Sequence, residues 1–569
     1  MKKLLALMMA LCLLLSATAL ADAVTFSGVN EFPIVEEKVE LDVFAPLSAN
    51  IADLSTNVWT LHQEELTNVH INWETVPSAS IKEKVNLLLA AEDLPDIFFG
   101  CNGAINTTAE MVYGPRGTFI DLKPLIDEHG YYIKQMYEQV PHIEAAITTP
   151  TGAIYALPQV NECFHCYYAQ KMWINKTWLD ALGLEMPTTT EEFKEVLIAF
   201  RDGDPNGNGI NDEIPLMGCT PVDDWNAQLH GFLMCAFTYT DLDDGISIAA
   251  DGETVELSYT KDEFRAGLSY LNDLYENGLI GEATFTQNGN DLKTVVESGD
   301  YSTVGCVPSG WFGNFAELAG ERQKDFVALE PLTGPEGVSL CGYFPYGYST
   351  GTFVITKVNP YPEISLKWAD YLYSEEAALG YIEAGREGIE WRAGEEGETD
   401  VWGRQARWTR IDTEFNYSEA QNVHYYQMGP SFRSFEYRES WYVPSSLEDY
   451  YGTAGYEGRL HNETAKYVEH RPEKVFPPLY MSEDDANEIS RLKQSINDYR
   501  DEMITAFITG VYDIESDGDW QAYLDGLEGF EASTYLSILQ RNYSESYLKD
   551  ATPSPMNPEH DLSEIKQVE

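Results

Sequence analysis

Between residues 39 and 100 the chain alternates strand and helix. Residues 39–44 read as a strand and residues 53–66 as a helix. Residues 69–76 alternate as a second strand, and Ile81, Val85, Leu88 and Leu89 keep helical spacing. Residues 95–100 are a short apolar run that ends in a glycine turn. Strands joined by helices pair in parallel, because a crossover needs a dozen or more residues. The fold expected is therefore an open α/β sheet. Ligands of such sheets sit outside the carboxyl ends of the strands. The turn at Gly100, Cys101 and Asn102 is then a candidate binding edge.

A second feature lies in the middle of the chain. Thr189 and Glu192 form a capping box, and Phe193, Val196, Leu197 and Phe200 give the helix they open an apolar face. That helix runs into a loop with side-chain oxygens at positions 1, 3, 5, 9 and 10: Asp204, Asn206, Asn208, Asp212 and Glu213. Gly209 at position 6 allows a sharp turn, and Ile210 at position 7 offers a backbone carbonyl. This is the spacing by which a short loop surrounds calcium with oxygens. It departs from the EF-hand at position 12, which is Pro215; Glu213 is the candidate replacement for the usual glutamate. The plain alternative is a polar turn that needs no ion.

The chain has 569 residues, 44% of them hydrophobic, and a formal charge of −57. That length fits several domains. The charge argues against nucleic acid and anionic membrane surfaces as partners. Met1-Lys2-Lys3, an apolar run over residues 4–15 and Ala19-Leu20-Ala21 read as a secretory signal peptide (1–21) cut after Ala21. Leu11 before Cys12 is not the small residue a lipobox needs, so release to the outside of the cell is expected. Seven cysteines follow: Cys101, Cys163, Cys166, Cys219, Cys235, Cys306 and Cys341. Cys163-Phe164-His165-Cys166 reads as a redox pair, as half of a zinc site, or as incidental thiols.

Aromatic residues make up 12% of the chain, and several fall in loops instead of periodic stripes. Rings stack on the C–H faces of sugars, and loops on a rigid scaffold carry binding residues. Trp225, Trp311, Tyr346 and Trp391, with Glu390 and Arg392 beside it, are candidate sugar contacts; core packing is the alternative for each. Acidic pairs such as Glu375-Glu376 keep a glycoside hydrolase in view. A secreted, calcium-stabilised polysaccharide-binding scaffold is a third reading.

Tyr155-Ala156-Leu157-Pro158, Met172-Trp173-Ile174-Asn175-Lys176-Thr177-Trp178-Leu179, Pro187 and the 204–213 loop together resemble the family 1 extracellular solute-binding proteins of carbohydrate ABC importers. The tail, with Phe476-Pro477-Pro478 and Asp519-Trp520-Gln521-Ala522-Tyr523, is similar to the large branch that includes the alginate-binding proteins. The resemblance implies two α/β lobes, each a mostly parallel sheet flanked by helices, with a helical C-terminal extension. It implies a monomer without catalytic activity that closes on a carbohydrate, delivers it to permease subunits, and holds a structural calcium in the 204–213 loop. The lobes expected are 38–158 with 336–385, and 159–335 with 386–549; residues 550–569 read as a disordered tail. Crossings between lobes are expected near 158–162, 331–335 and 386–392, which places Gln159 and Trp391 at the cleft.

Overall fold

The computed structural model describes residues 25–220, 227–241, 243–318, 320–383, 385–411, 420–452, 454–546 and 562–565. The signal-peptide segment, Trp225 and most of the 550–569 tail lie outside them. The strands, in chain order, are β1 Val39–Leu47, β2 Val69–Pro77, β3 Ile97–Phe99, β4 Leu157–Asn161, β5 Met172–Asn175, β6 Ile214–Leu216 and β7 Ile246–Ile248. They continue with β8 Val255–Leu257, β9 Val304–Pro308, β10 Phe326–Leu329, β11 Tyr348–Ile355, β12 Trp391–Ala393, β13 Trp408–Arg410 and β14 Ser431–Arg433.

Two sheets organise two lobes. The first has the order β14-β4-β11-β3-β1-β2. β1 pairs in parallel with β2 and β3, and β4 with β14, while β11 is antiparallel to β3 and β4. Five of its six strands thus run one way. Leu41, Val43, Ile97, Phe99, Leu157 and Phe353 bury one face of it with Trp368 and Tyr381. The second sheet has the order β10-β5-β9-β6, with β6 and β9 parallel and β5 reversed against both neighbours. Its core holds Trp173, Trp178, Phe200 and Phe326. The helices Glu483–Ile508, Asp517–Gly529 and Ala532–Glu545 pack against this second core as the C-terminal extension.

Local rules explain several helix ends. The Thr189 hydroxyl accepts from Glu192 N–H, and the Glu192 carboxylate accepts from the N–H and hydroxyl of Thr188. The capping box is therefore shifted by one residue on its return arm. The helix expected over 53–66 begins at Val58, because Asn57 caps it by accepting from Trp59 N–H. The helix Pro362–Tyr371 opens on its proline; Ser374 caps a new turn and Ala378–Glu383 winds as a π-helix.

The chain crosses between lobes after β4, between β10 and β11, and after β14. The crossings touch: Asn161 N–H donates to Gly347 O at 2.7 Å, Glu162 N–H to Arg433 O at 2.9 Å, and Phe435 N–H to the Glu162 carboxylate at 3.1 Å. The third crossing therefore lies at 433–435, not at 386–392. Residues 431–433, placed by sequence in the second lobe, form β14 beside β4 in the first sheet. The 386–392 stretch leads instead into the β12–β13 hairpin. Within the tail expected to be disordered, Leu562–Glu564 forms a turn of 3-10 helix and Ile565 is buried with Val401, Trp402, Val443 and Tyr450.

Candidate functional site

A cavity of about 1260 Å³ lies between the lobes. The first lobe lines it with Lys82, Asn86, Ala104 and residues 106–109 and 112–113, just beyond the carboxyl end of β3. The turn at Gly100–Asn102 does not itself line it; the chain that follows the turn does. The second lobe contributes Gln228, His230, Tyr239, Asp241, Asp243 and Asp244, with Asn487, Lys493, Asn497 and Arg500 from the helix Glu483–Ile508. The crossing segment 343–348 adds Tyr343, Phe344, Tyr346 and Tyr348, and Phe476 adds another ring.

The polar wall is held by its own network. Lys493 Nζ donates to Asp244 Oδ2 at 2.8 Å and Asn497 Nδ2 to Asp244 Oδ1 at 3.2 Å. Asp241 accepts the backbone N–H groups of Asp244 and Ile246 at 2.7 Å each. Burial, with the Asp244 charge beside it, pushes the Asp241 carboxyl up to about 7 despite those bonds. Three buried polar atoms of this wall lack a protein partner: Gln228 Oε1, Asn497 Oδ1 and Arg500 Nη1. A buried polar group without a bond costs free energy, and a ligand carrying donors and acceptors relieves that cost.

Of the sequence candidates, Tyr346 lines this cavity. Gln159, on β4, does not; its Nε2 donates to Gln427 O at 2.6 Å and Gly429 O at 3.2 Å within the first lobe. Trp311 packs on Phe312 and Tyr456 against the second core and donates from Nε1 to Asn314. Trp391 packs with Leu379, Trp408, Tyr437 and Trp441, and its Nε1 donates to Gly385 O at 3.0 Å. Glu390 is paired with Arg386, and Arg392 with Glu398. These four residues line no part of the cavity. Trp391→Ala is accordingly expected to lower the unfolding midpoint and leave affinity for solute within about two-fold of the parent, as titration calorimetry would read; truncating this partly buried ring costs roughly 1–3 kcal/mol of stability. Gly347-Tyr348-Ser349-Thr350-Gly351 matches the spacing of a hydrolase nucleophile elbow, but it enters β11, where Ser349 pairs with Gln159, and not a strand-to-helix turn.

The residues that sequence reasoning missed are on the helix Glu483–Ile508. Asn487, Ser490, Gln494, Asn497 and Asp501 recur every three or four positions and line the cavity. Such a polar stripe reads as a solvated helix face. What turns it into a site is the first lobe opposite, whose helix Thr107–Tyr113 packs against it.

That contact carries a buried carboxyl. Glu110 accepts from Thr350 Oγ1 at 2.6 Å and from Tyr480 OH at 2.8 Å, tying the first lobe to the second. Burial pushes its pKa up from 4.5 to about 7, against both hydrogen bonds, and burial does the same to Glu162 at the first crossing. A raised carboxyl binds its proton more tightly in the folded chain. Its stabilising share is therefore full below the ordinary value of 4.5 and lost as pH rises to about 7. The unfolding midpoint should fall between pH 5 and pH 8, and Glu110→Gln should remove on the order of 1–3 kcal/mol of that fall. Equal slopes for parent and variant in calorimetry would refute the assignment.

The 204–213 loop is separate from the cavity. It links the helix Thr190–Asp202 to β6. Asp204, Gly207 and Gly209 take positive φ of 47°, 70° and 76°, which curls the loop so that Gly209 N–H faces the Asp204 carboxylate at 3.2 Å. Asn206 and Asn208 donate from their amides to Asp212 Oδ1 at 3.3 and 3.1 Å. The Ile210 side chain is exposed, which leaves its carbonyl as its only ligand atom. Both oxygens of Glu213 are buried without a well-formed hydrogen bond; burial raises its pKa, with the Asp212 and Asp204 charges adding to it, against the nearby backbone N–H groups of Glu213 and Asp212. An orphaned buried carboxylate with two further carboxylates and two amides beside it suits a hard divalent cation.

Residues 41–379 match the family described as bacterial extracellular solute-binding protein. The fructooligosaccharide ABC transporter substrate-binding protein FusA of Streptococcus pneumoniae is 28% identical over 534 residues, covering 90% of this chain and 91% of that one. A solved structure of an EF-hand mutant of the S. pneumoniae protein FusA in complex with fructo-nystose superposes with a TM-score of 0.74 at 25% identity, over 90% of this chain and 100% of that one. An HMO-binding, ABC-transporter-associated solute-binding protein from Bifidobacterium longum infantis shares the fold at a TM-score of 0.73 and 19% identity, over 91% of this chain and 100% of that one. These relatives bind substrates and are not enzymes. With a family match over more than half its length and a two-lobed fold around an interlobe cavity, the chain belongs to the bacterial extracellular solute-binding proteins.

Proposed function

We propose that this protein captures a neutral oligosaccharide between its lobes, as a monomer outside the cell, and delivers it to the permease subunits of an ABC importer. The observation that carries the reading is the cavity itself. At about 1260 Å³ it exceeds the ordinary 300–1,000 Å³ of drug-sized ligand sites and suits several sugar rings. Tyr239, Phe344, Tyr346, Tyr348 and Phe476 supply aromatic surface for stacking. Gln228, Asn497 and Arg500 set polar side chains for hydroxyls beside these rings, each with a buried polar atom that has no protein partner. FusA, named for fructooligosaccharide, supports the substrate class.

Neutrality follows from charge. Asp241, Asp243, Asp244, Asp498 and Asp501 outnumber Lys82, Lys493 and Arg500 on the lining. A uronate chain would bring further negative charge to that wall. Titration calorimetry against neutral oligosaccharides and oligouronates of equal length tests this. Binding of the neutral set with unchanged sugar recovered afterwards is the expected result. Preference for oligouronates would overturn the neutral assignment, and release of new reducing ends in proportion to protein would overturn the role as a binder.

The same proposal includes a structural calcium held by Asp204, Asn206, Asn208, the Ile210 carbonyl, Asp212 and Glu213, and export directed by residues 1–21. The orphaned Glu213 carboxylate and the EF-hand named for FusA support the calcium.

A further inference from the structure

The Cys-x-His-Cys stretch takes no part in the cavity, and the fold completes it from elsewhere in the chain. Cys163 and Cys166 are joined as a disulfide, with α-carbons 5.2 Å apart, just after the first crossing. His165 between them is buried, and its Nε2 lies 3.5 Å from Cys163 Sγ. Its Nδ1 lies 3.5 Å from Glu457 Oε1, on the helix Tyr456–Ala465. Arg438 donates from Nη2 to Glu457 Oε1 at 2.7 Å and to Cys163 Sγ at 3.5 Å. The donor atoms of Cys163, His165 and Cys166 all lie within 4.8 Å of one another.

We propose that the reduced form of this stretch is a binding site for a thiophilic divalent cation such as zinc. Cys163 Sγ, Cys166 Sγ and His165 Nε2 are the ligands, Glu457 is the positioning residue, and water fills the fourth place. Tetrahedral zinc with Zn–S near 2.3 Å and Zn–N near 2.1 Å sets sulfur and nitrogen about 3.6 Å apart. The observed 3.5 Å between Cys163 Sγ and His165 Nε2 already meets that. A histidine that binds through one ring nitrogen needs its other N–H held, commonly by a carboxylate. Glu457 Oε1 lies 3.5 Å from that other nitrogen, Nδ1.

His165, Glu457 and His461 form a second group of donors within 4.8 Å of one another. It is the poorer site, because the Glu457 oxygen it would use is already held by Arg438 at 2.7 Å. One ion cannot use both nitrogens of His165, so the cysteine side takes it. Cys166 is only half-buried, which gives an entry path. Forming the site needs a reductant, here an external dithiol. It gives two electrons and two protons to the S–S bond and becomes a disulfide itself; zinc then displaces the two thiol protons.

The test uses the full chain with calcium in excess, in oxidised and dithiol-reduced forms, desalted without oxygen. Elemental analysis should find one zinc on the reduced chain and none on the oxidised one. Cobalt added to the reduced chain should give sulfur-to-metal charge-transfer bands and tetrahedral ligand-field bands. Cys166→Ser should weaken zinc by roughly 100-fold and erase part of the charge-transfer intensity, since a lost ligand exceeds the 10–100-fold of a lost outer partner. Its circular dichroism and sugar affinity should stay at parent values, which separates this site from the cavity. No zinc on the reduced chain would overturn the proposal. So would undiminished zinc in a Cys163→Ser/Cys166→Ser chain, which would move the metal to one of the five other cysteines.

Discussion

Tyr346→Ala should weaken binding of the preferred neutral oligosaccharide by about 30-fold, the scale of a buried aromatic anchor near 2 kcal/mol. Tyr346 lies in the crossing segment between β10 and β11, with its ring on the cavity and its carbonyl accepting from His142 Nε2 of the first lobe at 3.3 Å. It is 92% buried, since only 8% of its surface is exposed, so truncation opens the wall where both lobes meet. Asn497→Ala provides an independent check. It removes an oxygen that has no protein partner and should cost about ten-fold in affinity, as one hydrogen bond to a ligand would. The two variants address a ring and a polar atom on different elements. Titration calorimetry at one ionic strength reads both, with Trp391→Ala as the unchanged control. If both cavity variants bind like the parent, the solute sits elsewhere.

The difference between Tyr346 and Trp391 shows what is legible in a chain like this. Both are aromatic residues in glycine-bearing loops, and local sequence treats them alike. Tyr346 reaches the cavity because the second crossing runs through it. Trp391 does not, because the chain returns to the first sheet at Ser431–Arg433 before crossing for the third time. Three residues carry no periodicity that marks a strand, and their partner β4 lies far upstream, so no local signal announces that return. The βαβαβ unit of the first lobe was legible because β1, β2 and the helices between are long enough to show their periods and the short apolar run of β3 ends at a glycine turn; β1, β2 and β3 pair as these connections require. The helix Glu483–Ile508 was legible as a helix and illegible as a site. Its polar stripe means water or sugar according to what stands opposite, and only the packed fold supplies that.

Chelating calcium should lower the unfolding midpoint by about 5 °C or more. Glu213 has two buried oxygens with no well-formed hydrogen bond, only the backbone N–H groups of Asp212 and Glu213 nearby. A charged carboxylate in that position is expensive, and its raised pKa is the same cost expressed as proton affinity. A cation among Asp204, Asp212 and Glu213 removes the repulsion and supplies the missing partner. Ligand present at about 100 times its Kd adds about 2.7 kcal/mol to the folded state. For a lobe of 150–250 residues each kcal/mol moves the midpoint by about 2–4 °C. The loop is well placed to transmit this, since it ends one helix and begins β6: Ile214 N–H donates to Thr303 O at 2.8 Å, and Asn206 Nδ2 to Ser302 O at 3.1 Å. Asp204→Ala should make the midpoint indifferent to calcium and chelator alike. Glu213→Gln should do the same while costing less in the chelated protein, because it removes a buried charge and keeps the shape. Scanning calorimetry with and without chelator reads all three chains, and the solute affinity of each should match the parent, because the loop lines no part of the cavity. Coincident midpoints for the parent in calcium and in chelator would dismiss the ion.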